Sequence, residues 1–434
     1  MYLQTSIVLA VMVVVFILAI KLLKLRTEIA MLLSALGGML AWKFWFQPRQ
    51  LIEGTFTFFD IMLTIIAATI FLNTLKESGI LYSMVRSLVK TFYRWRAVML
   101  ILILLILLIP GALTGAGSVS VVVSGGIAAI LLKAMGVSLI NTSAIIFIGS
   151  ALSVTAPPIN VYAMIIGSGI SMPYIGFFLP LLLPVLLCGL FAVFFLGWRG
   201  TEIKLDEVLA ELPDVPPNMK GFAIYLPMLL LVTLMVLSRL IPNVMPILGI
   251  PLQFIICTVL ALLIIFASGE KINIFKVAGD TLKQLFPLLA TLVTVGVLVQ
   301  VLTLTGVRGL FVITMFSMPL FFVYLAMVVG LPIGEAALVF GAAAVLGVPS
   351  ALYFTQQGLD TVIVTAAVTL LMPMGDCLPP AAVIGRATVS ITGYEGNYWQ
   401  FVKKLIVPWI FISAAGVAMI YFARQLSFLV TGPS

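Results

Sequence analysis

Apolar stretches long enough to cross a bilayer recur from one end of the chain to the other. LQTSIVLAVMVVVFILAI (3–20) and LPLLLPVLLCGLFAVFFLGW (179–198) are two of them. About 20 helical residues span the roughly 30 Å hydrocarbon core. In lipid, only helices and closed barrels satisfy their own backbone. The runs are continuous, without strand alternation, so the expected fold is all-α and integral to the membrane. Composition agrees, with 63% hydrophobic and 9% charged residues, against about 25% charged in a soluble domain. The first stretch lacks a basic segment before it and a small-residue cleavage site after it, and reads as a retained helix.

Spans are expected at 4–20, 28–46, 57–75, 141–168 and 174–198, then at 222–241, 250–267, 278–304, 358–392 and 401–423. Two further apolar stretches, 97–135 and 318–349, are interrupted by GALTGAGS and GLPIGEAA. Arms of about 15–18 residues are short for a span at 1.5 Å per residue. They read as re-entrant hairpins with tips near the midplane. The polar, Pro-rich RGTEIKLDEVLAELPDVPPNMKG (199–221) is a cytoplasmic linker between repeats 1–198 and 222–434. Each repeat holds one hairpin, then one span broken by Pro-Pro: APPIN (156–160) and LPPAA (378–382). Gly115 and Gly334 lie 219 positions apart, Pro157 and Pro379 222 apart.

The net charge is +8 and the pI about 9.4. The basic residues sit in short loops beside spans, which favours the positive-inside rule over nucleic-acid binding. With the N-terminus outside and each hairpin returning to its own side, 18 of the 23 Lys and Arg fall inside and 5 outside. The outer five are Lys43, Arg49, Arg239, Arg308 and Arg424. An odd number of crossings per half makes the repeats inverted, the architecture of secondary transporters. Segments 76–96 and 308–317 read as surface helices, and the linker as holding a short helix over 204–211. Cys188, Cys257 and Cys377 have no metal or disulfide spacing and read as packing residues.

There is no histidine, which removes zinc and serine–histidine chemistry and argues against an enzyme. Gly375-Asp376 is reminiscent of an intramembrane aspartyl protease, but no Tyr-Asp pair supplies the second acid. An ion channel is a further alternative, because broken helices also line pores.

Candidate site residues cluster at the interruptions. Pro157 and Pro158, flanked by Thr155 and Asn160, should unwind their span, as should Pro379 and Pro380. An ordinary kink is the bland alternative. Freed backbone must face protein or a water-filled site, where half-helix ends attract ions. The tip residues Thr114, Gly115, Gly117 and Ser118 offer hydroxyls and open backbone suited to Na⁺, or small residues for close packing. Glu335, beside Gly334, either functions or caps the following helix. An acid at membrane depth costs about 2.5 kcal/mol or more and is a functional hypothesis by default. Asp376 is the candidate cation ligand or proton carrier. Arg386 meets an anionic substrate, pairs with Asp376, or snorkels to the headgroups. Asp60 and Asp360 read as interfacial helix caps.

The order of these pieces resembles the large membrane subunit of TRAP-type (tripartite ATP-independent periplasmic) transporters, within the ion-transporter superfamily. FLNTLKESGIL (71–81), GALTGAGSVSVVVSGGI (111–127), TAPPINVYAMIIGSGIS (155–171), VLTLTGV (301–307), GLPIGEAALVFGAAAVLGVP (330–349) and LPPAAVIG (378–385) carry the resemblance. It implies an elevator, in which the hairpins and broken helices carry substrate and Na⁺ past a fixed scaffold. The matching positions are Gly115, Ser118, Thr155, Pro157, Asn160, Glu335, Asp376, Pro379 and Pro380. Among them Gly115, Ser118, Thr155, Asn160 and Asp376 are the Na⁺ candidates. The resemblance also implies small carboxylate substrates, a periplasmic substrate-binding protein and a small membrane subunit. Ala382 stands where that family usually has glycine, and Asp376 and Arg386 depart from its pattern. The expected function is import of small organic anions coupled to Na⁺ or H⁺, in a bacterial or archaeal inner membrane. The alternative is a stand-alone carboxylate symporter or antiporter without a binding protein. No resident cofactor and no nucleic acid are expected.

Overall fold

A computed structural model describes residues 2–42, 46–200, 205–216, 221–240 and 249–430, without the side chains of Asp206, Glu207, Arg239 and Leu240. Lys43, Lys204, Lys220 and the side chain of Arg239, used above to orient the chain, lie outside the described residues. Nine helices among those described are long and apolar enough to cross a membrane. The protein is a multi-pass, all-helical membrane protein.

The expected spans appear as Tyr2–Lys21, Thr27–Ala41, Phe59–Glu77, Phe178–Gly197, Leu226–Leu240, Ile250–Ala267, Ile274–Leu304 and Tyr398–Tyr421. The second is shorter than read: it ends at Ala41. Pro110, Pro184, Pro287 and Pro408 sit inside helices, which neighbouring helices and local adjustments make tolerable in a membrane.

Two packing groups emerge. In one, Ile274–Leu304 lies against Thr27–Ala41, Pro48–Phe56 and Phe59–Glu77, with Ile250–Ala267 beside the last. In the other, Leu139–Thr155 is the hub. It touches Arg96–Thr114, Phe178–Gly197, Val383–Thr392 and Tyr398–Tyr421, and every residue from Thr142 to Thr155 is buried.

Each surface helix anchors a neighbour through an arginine. Ile80–Phe92 presents Arg86, whose Nη2 donates to the carbonyls of Leu209 (3.0 Å) and Leu212 (2.7 Å) at the end of the linker helix Leu205–Glu211. Val307–Ser317 presents Arg308, which donates to the Gly169 carbonyl ending Val161–Gly169. A helix leaves its last carbonyls unpaired and its C-terminus negative, so a guanidinium serves both needs.

The hairpins depart from expectation in two respects. Their first arms, Arg96–Thr114 and Leu320–Leu338, each have 19 residues, and Gly117–Ala134 has 18. At 1.5 Å per residue these reach about 27–28.5 Å, close to the roughly 30 Å core rather than well short of it. The second hairpin also turns later than GLPIGEAA suggests. The helix runs through Gly334 and Glu335 to Leu338, and the chain reverses at Val339–Phe340 before a second arm over 341–356. Gly334 is therefore not the counterpart of Gly115. The corresponding turn residue is Val339, 224 positions on, and both have positive φ (68° and 51°). π-Helical turns follow at Val121–Gly125 and Ala343–Gly347, 222 positions apart.

Glycine adopts positive φ freely, whereas a β-branched residue there is a true outlier. Val339→Gly is expected to stabilise the protein by about 1 kcal/mol, and Gly115→Val to destabilise it by more. Thermal melts of the two variants in detergent check both signs.

Candidate functional site

Each broken helix meets a hairpin through one backbone hydrogen bond. The first residue after Pro157-Pro158, Ile159, donates its N–H to the Ala112 carbonyl at 3.0 Å. The first residue after Pro379-Pro380, Ala381, donates to the Ala336 carbonyl at 3.1 Å. Proline supplies no donor, so this next amide fastens the unwound strand. Both Pro-Pro bonds are cis.

In the first break the helix Leu139–Thr155 stops and Val161–Gly169 begins. Asn160, fully buried, holds the gap together. Its Oδ1 accepts from the Ala163 amide (3.0 Å), capping the second half-helix. Its Nδ2 donates to the Thr155 carbonyl (3.3 Å) and to Thr369 Oγ1 (3.0 Å), crossing to the other broken helix. Thr155 Oγ1 turns back to the Leu152 carbonyl. Pro157 is buried and Pro158 half-buried.

The first hairpin closes over this break. Gly115 makes the turn and faces Val161 and Ile159. Thr114 Oγ1 donates to the Pro110 carbonyl and accepts from the Ala116 amide. Gly117 lies against Ile384 and the Ser150 carbonyl, and Ser118 is half-buried at the start of the second arm. Ser120 Oγ lies 3.0 Å from Ser150 Oγ, tying the hairpin to the central helix.

The second break is built differently. Pro379, Pro380 and Arg386 are exposed, and Ala382 begins Val383–Thr392 with no side-chain cap. Arg386 Nη2 donates to the Pro380 carbonyl at 3.3 Å. It does not pair with Asp376, which corrects one of the readings made from sequence. Asp376 instead lies in the buried turn Pro373–Cys377, with Oδ1 unpartnered.

Pro373–Cys377 packs on Leu331–Leu338, which carries Gly334 and Glu335. Gly334 faces Leu346 of the returning arm. Glu335 is fully buried in its helix and does not cap a following one. Its Oε1 accepts a 2.6 Å hydrogen bond from the Tyr162 hydroxyl, and its Oε2 has no partner. A Cβ on Gly375 would sit 2.9 Å from that of Glu335 and collide with the Pro332 carbonyl. Glycine is what lets the Asp376 turn come so close.

Tyr162 escaped the sequence reading. It stands two residues after Asn160, packs on Phe340 of the second turn with ring centroids 4.9 Å apart, and reaches Glu335 across the two halves. The one available signal was a tyrosine at depth, whose hydroxyl needs a partner when buried. Of the two expected acidic caps, Asp360 accepts from the Val362 and Ile363 amides. Asp60 is one residue inside its helix and caps nothing, although an acid there still suits the helix dipole. The three cysteines are free and buried.

No family model and no curated protein matches the chain. Solved structures do match. MtrF of Neisseria gonorrhoeae, reported as illuminating a class of antimetabolite efflux pumps, aligns with a TM-score of 0.61 at 12% identity, covering 85% of this chain and 82% of its own. The Alcanivorax borkumensis YdaH transporter, reported to have an unusual topology, aligns with a TM-score of 0.61 at 15% identity, covering 88% and 89%. The chain has the fold of these membrane transporters. Neither structure bears the TRAP name, and the likeness stops at the fold.

Asn160→Ala would remove a helix cap and a cross-helix hydrogen bond together. A loss of about 2 kcal/mol is expected, seen as a lower melting temperature in detergent. Asn160→Asp keeps the capping oxygen and should lose less.

Proposed function

We propose that the protein is a secondary active transporter for small organic anions, coupled to a gradient of Na⁺ or H⁺. The observation that carries this reading is the pair of interrupted helices, each fastened to a hairpin at its break, with two buried acids beside the second that each keep an oxygen without a hydrogen-bond partner. Broken helices at membrane depth place half-helix ends and open backbone around a cargo, and acids there mark ion pathways. The uncapped start of Val383–Thr392, with Arg386 in its first turn and exposed, suits a carboxylate. In this reading the hairpins and broken helices move as one body against the helices around Ile274–Leu304, in an elevator built from inverted repeats.

We place the protein in a bacterial or archaeal inner membrane with its N-terminus outside. The sequence motifs support import as the large subunit of a TRAP-type system, with a periplasmic binding protein and a small membrane subunit. Export is the second reading, favoured by the fold likeness to MtrF, itself described as belonging to a class of efflux pumps.

Proteoliposomes decide between these. Across a carboxylate panel, accumulation should require a Na⁺ or pH gradient, and Asp376→Asn should reduce it at least tenfold. Uptake indifferent to both gradients and to Asp376 would remove the coupling, and ohmic current without accumulation would indicate a channel. Reversing the imposed gradient reports the direction of coupled movement.

A further inference from the structure

We propose that Glu335, Asp376 and Tyr162 build a Na⁺ site shared by the two halves of the chain, in which the two carboxylates are ligands and Tyr162 positions Glu335. The proposal rests on the cation-coupled reading above and names where its cation sits.

Three observations carry it. First, both acids are buried, with Glu335 at 0% and Asp376 at 5% exposure. Oε2 of Glu335 and Oδ1 of Asp376 are buried without a protein hydrogen-bond partner. A buried carboxylate normally has its oxygens paired or ligates a cation. Second, among the described residues no basic side chain forms an ion pair with them. Arg386, on the helix packed against the Asp376 turn, bonds the Pro380 carbonyl. Tyr398 donates to the Cys377 carbonyl at 2.8 Å, and Cys377 Sγ to that of Met374. The nearest helix of the other packing group, Thr27–Ala41, adds only another acid, Glu28, which accepts from Thr291. Third, Gly375 admits the Asp376 turn to within contact of Glu335, so the two acids share one packed region.

The donor chemistry selects the ion. Carboxylate and carbonyl oxygens suit hard cations. Mg²⁺ keeps several waters, and Ca²⁺ takes six to eight oxygens. A buried site offering two free carboxylate oxygens suits neither, and a partly dehydrated monovalent ion fits better. Tyr162 determines which Glu335 oxygen remains free. Its hydroxyl occupies Oε1, its ring is clamped by Phe340 at the second turn, and its backbone follows the first break. A cation bound here is therefore felt at both interruptions.

The test uses the purified full chain in detergent and follows melting against NaCl, with choline chloride keeping ionic strength constant and KCl as the competing ion. Na⁺ should raise the melting temperature saturably. Tyr162→Phe should raise the half-saturating Na⁺ concentration at least tenfold, and Glu335→Gln or Asp376→Asn should abolish the response. Each variant should still melt cooperatively in choline near the wild-type temperature, which separates lost binding from lost folding. In proteoliposomes, Tyr162→Phe should raise the Na⁺ requirement for uptake while the substrate KM at saturating Na⁺ holds. A wild-type melt indifferent to Na⁺, or a Na⁺ response undiminished in the variants, overturns the site. If the wild type binds Na⁺ through these residues but moves no organic anion, the site stands and the transport reading falls. If uptake runs on a pH gradient with no Na⁺ binding, the reverse holds.

Discussion

Backbone polar groups cannot be left open in hydrocarbon, and the rest of this structure depends on how that constraint is met at two places. Four prolines remove donors from two spans and unwind them. Each unwound strand is then caught by one hydrogen bond from its first free amide, Ile159 to Ala112 and Ala381 to Ala336. The acceptors lie near the ends of the first hairpin arms. A hairpin is therefore required opposite each break, and this pairing brings residues about 45 positions apart into one site. Without those contacts the breaks would expose amides and carbonyls at a cost of several kcal/mol each.

The two breaks satisfy the same constraint by different chemistry. The first is closed: Asn160 spends all its hydrogen-bonding groups on local caps and on Thr369, and the surrounding side chains are buried. The second is open at Pro379, Pro380 and Arg386, lacks a cap at Ala382, and carries carboxylates in its buried part. Similar scaffolding thus supports one hydrogen-bonded, closed joint and one that is exposed and leaves a carboxylate oxygen unpartnered. Tyr162 connects them, because it leaves the first joint and donates to an acid of the second.

Much of this was legible in the sequence because the membrane simplifies the code. Continuous apolar runs gave span positions within a few residues. Pro-Pro located both breaks, and amphipathic spacing located the helices Ile80–Phe92 and Val307–Ser317. The second turn was misread for a physical reason. Glycine and proline are the usual signals of a turn, and Pro332, Gly334 and Glu335 sit together. Yet the helix continues through them, and the reversal falls on Val339, a residue whose type argues against positive φ. Asp60 and Asp360 read alike as caps, but a two-residue difference in register makes only Asp360 a cap. Tyr162 looked like one more ring in an apolar helix, since its partner lies 173 residues away.

What the sequence determined by itself is the solvent and the punctuation. An apolar chain of this length must be helical in a bilayer, and adjacent prolines must interrupt it. What only the tertiary structure decided is which interruptions face each other and what their side chains then meet. Arg386 turned to the Pro380 carbonyl rather than to Asp376, and Glu335 faced Tyr162 rather than a following helix. Periodicity and residue type act over a few residues. Pairing between buried polar groups is settled by which distant partner reaches them once water is gone.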